Sequence, residues 1–224
     1  MITKKTNCFV LPKKNENNDR VIEYLKRRAL DESTIQSCID AGILYEDIRH
    51  NCVFVGKDEN NVPRFATLRS SNPDSLFIGD VPGSNKAYSF HLPFNESDSL
   101  FIFESAIDTL SFYELCGRSK GKDNYLSVSG VYHPKKETAI MPAAVTHALL
   151  LLPQTRNVFI CYDNDHVGIQ AAKALESLLS ERYHVRIFLP EQAKDFNDML
   201  HAKKGIPKTT TTRTSKQIKE ETTI

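Results

Sequence analysis

Acidic residues follow three short apolar runs in this 224-residue chain, and their type and spacing suggest a particular chemistry. Phe101-Ile102-Phe103 leads into Glu104, the run from Val158 to Tyr162 leads into Asp163 and Asp165, and the run ending at Leu189 is followed by Asp195 and Asp198. Helical spacing puts Asp108 one turn beyond Glu104, on the same face. Carboxylates gathered in this way repel one another unless a cation neutralises them, and hard oxygen donors suit Mg2+ or Mn2+. A divalent-metal site drawing on Glu104, Asp108, Asp163, Asp165, Asp195 and Asp198 is one expectation. The competing expectation is local: each acid caps the helix that follows it. A calcium loop is excluded for the segment starting Asp163-Asn164-Asp165, because its fifth position is Val167 and its twelfth Ala174, where oxygen donors are required.

The elements that must position these acids follow from the apolar periodicity. Between Leu100 and Leu189 the pattern alternates strand and helix. Strands are predicted at Leu100 to Phe103, Tyr125 to Val128, Asn157 to Tyr162 and Val185 to Leu189. Helices are predicted at Ala106 to Leu115, before Leu152, and at Val167 to Tyr183. Such alternation implies an α/β fold with a parallel sheet flanked by helices, in which ligands gather at the carboxyl edge of the strands. Upstream, Asp19 to Ile39 reads as a helical hairpin. Asn51 to Val55 and Pro63 to Leu68 read as two strands joined by a polar turn, with Ser75 to Gly79 as a third. The expected division is a small α+β domain over residues 1–95, the parallel-sheet domain over 96–202, and a Thr-rich, charged, disordered tail over 203–224.

With the acids placed at strand ends, the chain resembles the Toprim domain of topoisomerases and primases, and bacterial DNA primase in particular. That family carries Glu-Gly-x-x-Asp after one strand, here Glu104-Ser105-Ala106-Ile107-Asp108, and Asp-Gly-Asp-x-Ala-Gly after another, here Asp163-Asn164-Asp165-His166-Val167-Gly168. Its Lys-Asp-Pro-Asp element is similar to Lys194-Asp195-Phe196-Asn197, with Asp198 adjacent. Ser105 and Asn164 stand where the family has glycines, and Asn197 where it has Asp. The likeness spans about Tyr24 to Leu200 and is nearest to primase-like proteins of plasmids and conjugative mobile elements. It implies Glu104, Asp163 and Asp165 as catalytic residues around Mg2+ or Mn2+, with Asp108, Asp195 and Asp198 as outer ligands and Asn197 as a neutral oxygen donor. It further implies that Arg64, Arg69, Lys86 and Lys194 contact nucleotide or nucleic acid, and that single-stranded DNA template and nucleoside triphosphates are the partners. A relaxase, helicase or other replication protein would be a further partner. Lys26-Arg27-Arg28 on the first helix reads as a solvated face. The same acids would also serve a metal-dependent nuclease or a non-catalytic module that binds nucleic acid.

Composition narrows the classes. The longest apolar run, Ala143 to Pro153, is too short to cross a bilayer and the first residues carry no signal-peptide pattern, so a cytoplasmic location is expected. Five scattered cysteines form no Cys-x-x-Cys pair for zinc or redox work and are expected to be reduced. The net charge of +1 offers no overall basic field for nucleic acid, so any binding must come from a local cluster.

Overall fold

The structure of the protein, a computed structural model, describes residues 8–116, 121–131 and 140–207. The chain opens with helices α1 (Asp19–Arg27) and α2 (Glu32–Asp40). Four antiparallel strands follow: β1 (Leu44–Glu46), β2 (Asn51–Lys57), β3 (Pro63–Ser70) and β4 (Ile78–Asp80), in the order β1-β2-β3-β4. The short β1 did not stand out from its sequence, since Leu44-Tyr45-Glu46 is too brief to show a period, and β4 overlaps the end of the predicted third strand, starting three residues later and ending one later.

The second half alternates as its periodicity predicts. It runs β5 (Ser99–Phe103), α3 (Ala106–Leu115), β6 (Asn124–Ser127), α4 (Ala143–Leu151), β7 (Asn157–Cys161), α5 (His166–Leu179), β8 (His184–Ile187) and α6 (Phe196–Lys204). All pairings in this sheet are parallel and the spatial order is β6-β5-β7-β8. The chain moves from β5 outward to β6, then crosses back over β5 to start β7. The direction of winding therefore reverses between β5 and β7, and the crevice of an open parallel sheet lies at such a reversal.

Alternation along each strand divides the core in two. Leu100 and Ile102 of β5 pack with Val158 and Ile160 of β7 against Ala144, Val145 and Ala148 of α4 and Leu175 and Leu179 of α5. Phe103 and Cys161 face the other way, toward α3, α6 and the α1–α2 hairpin. On that face Phe101 stacks on Phe159 with ring centroids 4.4 Å apart, while Phe196 meets Phe103 edge-on at 5.7 Å. Val21, Leu25 and Ile35 of the hairpin belong to this same cluster, so one continuous apolar core joins the N-terminal unit to the parallel sheet.

Helix α6 was absent from the sequence expectation, which placed a disordered tail from Lys203 onward. Asp195 caps it, Phe196 and Leu200 bury one face, and Gly205 ends it at φ 63°. Lys203 and Lys204 lie in its last turn, where Lys203 donates to the Leu115 carbonyl at 3.0 Å and Lys204 to the Ala29 carbonyl at 2.8 Å. These two residues are thus part of the fold, while 208–224 lie outside the described residues. Helix α5 stops at Leu179, four residues short of the expected Tyr183.

Cys38, Cys52 and Cys161 are buried, and all the described cysteines are free thiols. None of the described helices is long and apolar enough to cross a membrane.

At Gly56 the β2 backbone passes so close to Tyr88 that a Cβ would collide with its carbonyl oxygen. Both groups are main chain, so neither can rotate away. Gly56→Ala is expected to destabilise the protein by about 3 kcal/mol or more, at the upper end of overpacking costs. Urea unfolding checks this, and a loss below about 1 kcal/mol would mean that the strand shifts freely.

Candidate functional site

The β5 and β7 strands pair in register along their length, with Phe103 opposite Cys161, so the residues just beyond them meet. The Asp163 amide donates to Glu104 Oε1 at 3.0 Å. Gly168 makes this approach possible, because a Cβ there would meet both the Asp163 carbonyl and the Glu104 carboxylate. A glycine is needed at Gly168 for close approach, which is the reason for its place six positions into the acidic motif.

The capping and metal-site expectations divide residue by residue. Asp165 caps α5, its Oδ1 accepting from the Val167 and Gly168 amides at 3.1 and 3.0 Å. Asp195 caps α6 by accepting from the Asp198 amide at 2.7 Å. The α3 cap is Ser105, whose hydroxyl accepts from the Asp108 amide at 3.1 Å and donates to the Asp108 carboxylate. Glu104 and Asp163 cap nothing, and in Asp165 and Asp195 capping occupies Oδ1 while the second carboxylate oxygen lies outside the cap.

A cleft of about 540 Å³ opens at this edge, lined by Glu104, Asp108, Asp163 and Asp195 together with Arg28, Arg69 and Lys194. Asp165 stands just outside it. Asp198 lines the neighbouring grooves beside His201 instead of the cleft, which its helical position dictates. Arg64 also lies elsewhere: its guanidinium pairs with Asp58 at 2.7 Å on the β2–β3 turn. Lys86 sits at the rim, bonded to Asp80 and the Ser129 carbonyl, each at 3.1 Å, and both of those residues line the cleft.

Burial and mutual repulsion shape the acids. Burial first, then Asp195, pushes Asp108 up to about 7, and burial with Glu104 and Asp195 beside it does the same to Asp163. Burial also raises Glu104, with Asp165 and Asp108 adding to it. Asp165 is instead held low by the Gly168 amide. Three acids that resist ionisation at one sheet edge form a donor set that suits a hard divalent cation. Among the described residues no three His, Cys, Asp or Glu side chains converge as a ready-made metal cage.

Arg28 was read from sequence as part of a solvated face and is the main residue missed. Lys26 and Arg27 do pair at the surface, with Glu32 and Glu23, both at 2.6 Å. Arg28 instead lies past the end of α1 and turns into the cleft. Its Nε and the Nε of Arg69 both donate to the Tyr24 hydroxyl, each at 3.2 Å. Asn197, expected as an oxygen donor to metal, is otherwise engaged. Its Oδ1 accepts from Arg28 at 3.1 Å, and its Nδ2 donates to the Arg28 carbonyl at 2.7 Å and Ser111 Oγ at 2.9 Å. An adjoining groove of about 200 Å³ shares Arg28 and Arg69 and adds Tyr24, Arg27 and His201.

Comparison with known proteins bears on the fold and the family. Residues 101–200 match a family model described as Toprim-like, and residues 23–96 match one described as "Protein of unknown function (DUF3991)". A "65 kDa protein" of Zymomonas mobilis is 28% identical over 218 residues, covering 92% of this chain and 35% of the relative. A "DNA primase" of Listeria innocua is 28% identical over 193 residues, covering 81% of this chain and 29% of the relative. The chain thus spans about a third of the length of the curated relatives it matches. The primase fragment of the bacteriophage T7 primase-helicase protein shares its fold, with a TM-score of 0.58 at 16% identity over 88% of this chain and 71% of that one. The DnaG primase catalytic domain bound to ssDNA does so with a TM-score of 0.54 at 22% identity, over 84% and 68%. Residues 101–200 therefore resemble the Toprim-like family model, in a chain that shares its fold with solved primase catalytic cores.

The raised acids set a pH dependence. Asp108 and Asp163 hold protons up to about 7 in the folded chain and lose them near the ordinary carboxyl value when unfolded, so the folded state is the more protonated between those limits. Stability falls as pH rises through that window. In chelator, melting is expected at a lower temperature at about pH 8 than at about pH 5, and Asp108→Asn should lessen the difference. Equal drops in both proteins would show that Asp108 ionises normally.

Proposed function

We propose that the chain is the core of a primase-like nucleotidyltransferase that joins nucleotides on a single-stranded DNA template with the help of Mg2+ or Mn2+. One observation carries this reading: one cleft is lined by Glu104, Asp108, Asp163 and Asp195 together with two guanidinium groups that share the Tyr24 hydroxyl. Acids alone suit many metal enzymes. Acids that could hold a divalent cation, in one cleft with paired arginines, suit attack of a hydroxyl on a polyphosphate. The fold shared with primase cores and the Listeria innocua relative named a DNA primase support the same class.

In this reading Asp163 would hold the cation, with Asp108, Asp195 and the outer oxygen of Asp165 completing its surroundings, while Glu104 beside them stays outside the coordination. When bound, the metal would neutralise charge building on the transferring phosphoryl group. Arg28 and Arg69 bind the triphosphate. Both donate to the Tyr24 hydroxyl, and no ion pair of either with a carboxylate is seen among the described residues, so both cations remain available to the leaving diphosphate. Glu104, raised by burial, is suited to accept the proton of the attacking 3′-hydroxyl. Lys86 at the rim and the groove of Arg27, Arg28 and Arg69 offer a track for template phosphates. The setting we propose, replication or transfer of a mobile element, rests on the sequence resemblance alone.

Incubating the protein with single-stranded DNA, four nucleoside triphosphates and Mg2+ is expected to yield short oligonucleotides. Asp163→Asn should lower the yield about a hundredfold or more. Arg69→Ala should raise the KM for nucleotide more than it lowers kcat. Cleavage of the DNA without triphosphates, lost in Asp163→Asn, would replace this reading with a metal-dependent nuclease.

A further inference from the structure

We propose that Lys194 is a built-in counter-cation of the acid cluster, which a divalent ion must displace from Asp163 and Asp165 before it binds. The inference rests on the reading that these acids take a divalent cation. It adds a competitor residing in the chain itself.

The Lys194 ammonium lies 3.8 Å from Asp163 Oδ2 and 3.6 Å from Asp165 Oδ2. Among the described residues no other basic side chain pairs with either acid. The position is set by more than attraction. Asn164, between the two acids, donates its amide to the Lys194 carbonyl at 2.7 Å. Its side-chain Nδ2 reaches the carbonyls of Pro190 and Ala193, both at 3.4 Å. The loop carrying Lys194 is therefore strapped to the loop carrying the acids, and the ammonium is delivered to the gap between them. The amide bond to Lys194 would survive with glycine at 164, so only the two side-chain bonds of the strap depend on the asparagine that stands where the sequence pattern has glycine.

An ammonium and a divalent ion cannot share these oxygens. The ammonium offers three N–H donors and one charge, whereas the divalent ion requires oxygens stripped of competing donors. The Lys194 side chain is 60% exposed, so its pairing is weak and its four-carbon stem can swing out. Once displaced, it stands at the mouth of a cleft that also holds Arg28 and Arg69, where a phosphate would receive it. Cation binding and polyphosphate binding are thereby coupled. Without an anionic substrate Lys194 holds the acids, and with one it has another partner, so the metal site is favoured when nucleotide is present.

The test is calorimetric titration of Mn2+, without nucleotide, into the wild type, Lys194→Met, Asn164→Gly and Asp163→Asn, with melting of each in chelator. Lys194→Met is expected to bind Mn2+ about three- to fivefold more tightly, the range of a weak surface ion pair. It should melt lower than the wild type in chelator and recover in Mn2+. Asn164→Gly, which loosens the strap and leaves the lysine in place, should tighten binding by a smaller factor. It keeps the test open if Lys194→Met fails to fold. Unchanged or weaker binding in both variants, with Asp163→Asn losing Mn2+, would overturn the competition and leave the metal reading standing. No Mn2+ binding by any of the four proteins would overturn both.

Discussion

The parallel pairing of β5 with β7 is the constraint from which the site follows. Once Phe103 lies opposite Cys161, the strand ends must deliver Glu104 and Asp163 to neighbouring positions, whatever the charge between them costs. The pairing is strong because it is apolar on both faces. Leu100, Ile102, Val158 and Ile160 fill one side, while Phe101 and Phe159 stack on the other. Hydrophobic burial of this extent is worth far more than the repulsion between two carboxylates at the rim of a solvent-filled cleft. The acids are therefore held together by a sheet that gains nothing from them. That is the usual condition of a functional site, whose residues are unfavourable locally and tolerated because the scaffold overdetermines their position.

The second half of the site comes from the N-terminal unit, and it is joined by the same means. The cluster that contains Phe103 and Phe196 also contains Val21, Leu25 and Ile35, so the α1–α2 hairpin cannot lift away without opening the core. Polar contacts then fix the register of that docking. Asn197 is 2% exposed and bonds Arg28 through both its amide oxygen and its nitrogen, while Tyr24 ties Arg28 to Arg69 of β3. A buried amide that is fully bonded specifies one arrangement, because any slip leaves its donors unpaired. The arginines reach the acid cleft because apolar packing brings the hairpin close and Asn197 sets how it sits.

Much of this was legible in the sequence, for reasons that differ between its parts. Helix α3 and strands β5 and β7 were readable because their apolar periods are clean and bounded by polar residues. The acids at strand ends were readable because parallel α/β sheets put ligands there. What escaped was set by tertiary contacts. Arg28 looked like the third member of a solvated basic run, and only the end of α1 at Arg27, with Ala29 at φ 62°, turns it inward. Helix α6 was hidden because Asp195 and Asp198 drew attention as ligands, although an Asp cap, Phe196 and Leu200 at helical spacing and Gly205 make a complete helix signal. The same misreading made Asn197 a metal donor when its oxygen belongs to Arg28.

The cleft then holds two sets of like charges, each unsatisfied in a different way. Burial and mutual repulsion push Glu104, Asp108 and Asp163 upward on one side, and on the other two guanidinium groups share the Tyr24 hydroxyl. Direct pairing of the two walls would cancel both charges. It is prevented by rigid attachments: Arg28 is anchored to Asn197, Asp108 to Ser105, and Asp163 to the loop that Gly168 allows to close on Glu104. Acids and guanidinium groups that line one cleft of about 540 Å³ suit a ligand that carries both signs itself. A polyphosphate with its divalent cation has that character, placing positive charge against the carboxylates and negative charge against the arginines.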